Sequence, residues 1–265
     1  MSIISPWLAL VAILLPLIYA ERWVHRHFFG IGYLLSKDKM SATRLFYVFF
    51  LPGIIIHELV QYLVAGALNV PIKRIVAWPD QQENGILRLD FVVVMQKETD
   101  RIRAAVVAAA PFLVMSMIVW YISTRILDLH TITEAFGTGD IRLIWDATKA
   151  LFQKSDFVLW LYFLFVVANS MIPKREETRG YPLLLGVFAA LVVFMLIIGM
   201  GDVLVDTLAG PVSEGLRLVN TALATILILD VAAILLLGIT EDTLEAWRGF
   251  KMDYSAGEEI TKPTS

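Results

Sequence analysis

Runs of about twenty apolar residues with hardly a charge constrain this chain more than any other feature. Ala104 to Ser123 contains no Asp, Glu, Lys or Arg, and Val219 to Ile239 contains only Asp230. A helix of this length covers about 30 Å, the thickness of a bilayer's hydrocarbon core. Backbone polar groups in that core must be satisfied internally, so a spanning segment has to be a helix or part of a closed barrel. Runs of this length are read as helices. A soluble protein with a large core is the competing explanation for the 58% hydrophobic residues, and run length decides against it.

The expected fold is therefore an all-α polytopic membrane protein with about six transmembrane helices. The expected spans are Ile3 to Ala20, Phe46 to Leu68, Ala104 to Ser123, Phe157 to Ile172, Leu183 to Met200 and Val219 to Ile239. Phe28 to Leu35 is apolar but too short to cross, which predicts an interfacial or re-entrant piece. Asp128 to Ser155 mixes Trp145 and Phe152 with charges, which predicts a segment lying along the membrane surface. Residues 1–240 make the transmembrane bundle and residues 241–265 a polar C-terminal tail.

Between the second and third spans, residues 72–93 read as a small β-hairpin. Leu87, Leu89, Phe91 and Val93 alternate at period two, and Asn84-Gly85 suits a tight turn. Lys and Arg are slightly more numerous in the loops after spans two and four and at the C-terminus, which favours a cytoplasmic hairpin with both termini inside. The expected location is the cell membrane, as a multi-pass protein with the lipid bilayer as its surroundings. A net charge of -3 gives no footprint for nucleic acid, and the absence of cysteine removes disulfides and thiolate chemistry.

Ionisable residues inside apolar helices are costly and mark functional or pairing sites. The second span carries His57-Glu58-Leu59-Val60-Gln61. His57 and Gln61, four residues apart, share a helical face, with Glu58 beside them. One residue separates this from H-E-x-x-H, in which two histidines bind zinc and the glutamate activates the metal-bound water.

The segment resembles the site-2 protease family of intramembrane zinc metalloproteases. Pro52-Gly53 precedes the motif, a hairpin-like stretch follows it, and the third span carries Ala110-Pro111. The fourth span ends in Asn169, followed by Pro173 and the acidic pair Glu176-Glu177. The resemblance covers roughly residues 51–182. It implies Glu58 and Asn169 as catalytic residues, and His57, Gln61 and Glu177 as the metal ligands, with zinc as the cofactor. It also implies a single-span transmembrane protein as substrate or partner. Gln61 stands where the family has its second zinc histidine, and Glu177 where it has an aspartate. A carboxamide oxygen is a weak, neutral ligand for zinc.

Three readings follow. The chain is an intramembrane metalloprotease, or a catalytically impaired relative that has lost zinc and keeps His57, Glu58, Gln61 and Asn169 as a packing cluster. It is, alternatively, a non-enzymatic binding or regulatory protein on the same scaffold. Or it is an ion- or proton-coupled transporter using His57, Glu58 and Asp230. Asp230 is expected to pair with an Arg or His of another span or to line a water-filled path. The pair His25 and His27, just after the first span, reads as an ordinary membrane-interface feature, and His130 as a loop residue.

Overall fold

The computed structural model describes residues 5–75, 80–81, 87–88, 92–94, 101–171, 181–252 and 254. They are overwhelmingly helical. Helix α1 is Ser5–Ser36 and α2 is Lys39–Ala67. Helix α3, Arg101–Tyr121, ends in a π-helical turn over Ile122–Ile126. Helices α4 (Leu129–Thr138), α5 (Ile141–Phe152) and α6 (Phe157–Ala168) follow, then α7 (Tyr181–Ile197), α8 (Gly201–Ala209) and the long α9 (Pro211–Arg248).

Four helical stretches among the described residues are long and apolar enough to cross a membrane: α1, α2, residues 102–126, and residues 201–248. A fifth is obtained if α5 and α6, bent by 93°, count as one. Val48 and Met117 are each 69% exposed and Ile197 is 77% exposed. Apolar surface of that extent is untenable in water and natural against lipid. The hydroxyls on these helices need no solvent either: those of Ser116, Thr225 and Thr240 donate to a carbonyl one turn back in their own helix. These long apolar helices are those of an integral membrane protein.

The expected interfacial piece at Phe28 to Leu35 is instead the last two turns of α1, which continues unbroken because nothing between Ala20 and Ser36 stops a helix. Leu183 to Met200, expected as a full span, holds only the 17-residue α7. Residues 72–93 contribute two short antiparallel pairings, Ile72–Ile75 with Val92–Val94 and Asp80–Gln81 with Leu87–Arg88; the residues between them lie outside the described set. Helix α9 passes residue 240 without a break and reaches Arg248, where Gly249 (φ 74°) caps it in the left-handed region.

Contacts between helices fix their directions. Helices α1 and α2 form an antiparallel hairpin, with Gly32 against Ala42 and His25 against Phe50. Helix α6 runs parallel to α2 in a constant register: Tyr162 donates to the Phe49 carbonyl (2.7 Å), Gly53 abuts Val166, and His57 meets Ser170. Each pair is 113 residues apart. Helix α9 runs parallel to α1 in the same manner, with Asn220 on the Pro6 carbonyl (2.8 Å), Glu241 on His27 and Arg248 on the Leu35 carbonyl (3.1 Å). The core between these helices is Leu17, Met115, Val119, Leu164, Val167, Leu223 and Ile226, all fully buried. A second cluster packs Val24, Phe50 and Val166 under the aromatic rings of Phe28, Phe46, Phe49 and Phe165.

Candidate functional site

His57, Glu58 and Gln61 occupy the buried face of α2, each less than 5% exposed. Helical periodicity puts 57 and 61 on one stripe, and the packing of α6 against that stripe removes it from lipid. Close approach of the two backbones depends on Gly53. A Cβ there would run into the Val166 carbonyl and the Ser170 hydroxyl of the α6 end. The chain leaves α6 through two turn residues, Asn169 and Ser170, and so presents the Ser170 carbonyl to α2.

His57 uses both ring nitrogens. Its Nδ1–H donates to the Ser170 carbonyl at 2.7 Å. That bond leaves the lone pair on Nε2, where Gln61 donates its amide at 3.3 Å. A backbone carbonyl on Nδ1 is the arrangement that orients a metal-binding histidine to coordinate through Nε2. Here the amide of Gln61 takes up that lone pair.

Asn169 is 2% exposed and faces away from His57. Its amide donates to Asp230 Oδ1 on α9 at 2.8 Å and to the Phe165 carbonyl at 3.1 Å. The expected partner of Asp230 was an Arg or His; its hydrogen-bond partner is this neutral amide. The polar residues therefore fall into two groups, His57–Gln61–Ser170 and Asn169–Asp230, joined where Asn169 and Ser170 are consecutive. Glu177 lies outside the described residues, so its expected ligand role has no geometry here.

Among the described residues, no three His, Cys, Asp or Glu side chains converge as a metal site. His57 and Glu58 are the strong donors on the α2 face, and the Nε2 lone pair of His57 accepts from the Gln61 amide, itself a poor zinc ligand. Among the described residues these two fall short of the ligand set a zinc ion takes.

Other polar contacts had no counterpart in the sequence reading. The carboxylate of Glu241, 4% exposed, accepts from His27 on α1 and from the Tyr254 hydroxyl beyond α9. Trp23 stacks on His27 at 3.6 Å, and the bare Cα of Gly30 makes room for the Tyr254 ring. Burial, and then the neighbouring Glu241, push the Tyr254 phenol above its ordinary value, so it remains a donor. No sequence signal links positions 27, 241 and 254. Ser170 was equally invisible, because it acts through its backbone carbonyl.

Comparison with family models, with curated proteins and with solved structures finds no match.

Proposed function

We propose that this chain is a catalytically impaired, site-2-protease-like membrane protein that binds single-span membrane proteins without cutting them. The observation that carries this reading is the Gln61 amide on His57 Nε2, at the atom through which zinc would be held. The rest of the arrangement is what a metalloprotease-type site needs: a buried His-Glu pair on an apolar helix and an Nδ1–carbonyl bond that fixes the histidine ring. One substitution away from H-E-x-x-H, the scaffold retains its orienting contacts and has Gln61, a weak ligand, at the position of the motif's second histidine.

The chain is read as multi-pass, in the plasma membrane. The parallel pairs α2/α6 and α1/α9 favour five crossings, formed by α1, α2, α3, the bent pair α5–α6 and α9, rather than six. An even count would set α1 and α9 antiparallel. In this reading the two termini lie on opposite faces, α7 and α8 enter and leave from one side, and the strand pairings over residues 72–94 form one β-hairpin at the end of α2. Helix α5, with Ile141, Trp145 and Phe152 all strongly exposed, lies in the interface.

The test is co-reconstitution in liposomes with a single-span membrane protein carrying a fluorophore at each end. The expected result is energy transfer between the two proteins with the probe remaining full length. Cleavage of the probe by the unmodified chain, abolished by Glu58→Gln, would overturn the reading in favour of an active protease.

A further inference from the structure

Asp230 and Asn169 leave a hydrogen-bond account that does not close. Asp230 is 1% exposed, near the middle of an apolar helix. Asn169 supplies one donor to Oδ1, yet Asp230 Oδ2 and Asn169 Oδ1 are both fully buried without a partner among the described residues. Two bare acceptors on two groups already joined by a hydrogen bond cannot satisfy each other, because neither holds a hydrogen. Leaving both unpaired costs several kcal/mol in a low-dielectric interior. The charge account is equally open. No Lys or Arg pairs with Asp230 among the described residues. Glu21 on α1 is an acid that feels the charge of Asp230 as repulsion. Like charges facing each other in such a setting do not both persist.

One hydrogen closes both accounts. Placed on Asp230 Oδ2, it donates to Asn169 Oδ1 and completes a cyclic acid–amide pair with the existing Asn169–Asp230 bond. We propose that Asp230 and Asn169 form a proton-binding site that is occupied at neutral pH, with Glu21 and His25 as the groups that exchange its proton. Both exchange residues sit on α1, one turn apart, with Glu21 coupled to Asp230 of α9 and the His25 ring against Phe46 and Phe50 of α2. Glu21 is half-buried, whereas Asp230 is fully buried. The His25 ring borders the Asn169 backbone, and its Nε2 is a third buried atom without a partner. Arg22 on α1 is the charged neighbour of Glu21. At the C-terminal end of α6 the neutral Asn169 is the facing group, and the next residue, Ser170, holds His57 of α2 through its carbonyl. The site shares Asn169 with the protease-like reading but does not rest on its zinc chemistry, since none of its four residues is an implied zinc ligand.

The experiment is infrared spectroscopy of the full chain in lipid at neutral pH, on the wild type, Asp230→Asn and Glu21→Gln. The expected result is a protonated-carboxyl C=O band in the wild type that shifts in D2O, disappears in Asp230→Asn and survives in Glu21→Gln. Asp230→Asn is further expected to unfold at the wild-type temperature, because an amide supplies the same donor to Asn169 Oδ1. Absence of the band overturns the proposal, as does its loss in Glu21→Gln alone. An Asp230→Asn variant that fails to fold, or wild-type stability that rises with sodium and loses this response in Asp230→Asn, shows a carboxylate paired with a cation and equally overturns it.

Discussion

Replacing Gly53 by alanine tests the contact that brings the two halves of the site together. The added Cβ would lie 2.7 Å from the Val166 carbonyl carbon and closer still to its oxygen. Ordinary contact begins at 3.4 Å, so α2 and α6 must separate by at least about 0.7 Å, an overpacking strain that costs roughly 1–3 kcal/mol. The Val166 atoms are backbone, and no rotamer change relieves them, although the Ser170 hydroxyl can turn aside. The same displacement lengthens the His57–Ser170 bond, which lies one turn further along the same seam. For a chain of this size each kcal/mol lowers the midpoint by about 2–4 °C, so the expected loss is roughly 2–12 °C. Gly66 provides the control: it lies in the same helix, and a Cβ there would meet nothing within 4 Å. Gly66→Ala is expected to hold or raise stability, by up to about 1 kcal/mol. The assay is thermal unfolding of the detergent-purified protein and both variants. A Gly53→Ala midpoint equal to or above that of the wild type would refute the parallel α2–α6 register.

Three further outcomes follow from the same geometry. Tyr254→Phe removes a donor from the buried Glu241 carboxylate and is expected to cost about 1.5–3 kcal/mol in a chemical unfolding titration, with His27 left as its partner; an unchanged midpoint would show that Tyr254 does not dock there. The Ser41 hydroxyl and then the Ser41 amide hold the Asp38 carboxyl below its ordinary value. The capping contribution to α2 is thus full above pH 3.8, is lost as pH falls through the lowered value, and is flattened in Asp38→Asn when acid stability curves are compared. Terminal epitope tags on the cell-expressed protein are expected to be protected on opposite faces of the membrane; protection of both on one face would contradict five crossings.

The apolar runs and the ionisable residues within them were legible in the sequence because both violate average composition over a helical turn or more. His57, Glu58, Gln61 and Asp230 stood out on that ground, and all four are buried. What stayed illegible depends on how helices pair. Nothing in the order of residues states that α6 lies parallel to α2, or α9 to α1, and that pairing decides the number of crossings. Asn169 was noticed through its setting near Pro173 and the acidic pair, yet its amide turns to Asp230 because the C-terminal turn of α6 points it toward α9. The end of α1 looked like a separate interfacial piece because hydropathy drops over Glu21 to His27. Helical backbone continues regardless, and among those polar side chains His27 finds a partner on α9 in Glu241.

In the proposed reading, Gln61 closes the position a metal would need. Zinc content of the purified protein, measured beside Gln61→His and a Gln61→His/His57→Ala control, tests it most directly. The expected result is no stoichiometric zinc in the wild type, near one zinc per chain in Gln61→His, and none in the control. Near one zinc per chain in the wild type, lost on His57→Ala, would contradict the claim and return the chain to the active metalloproteases.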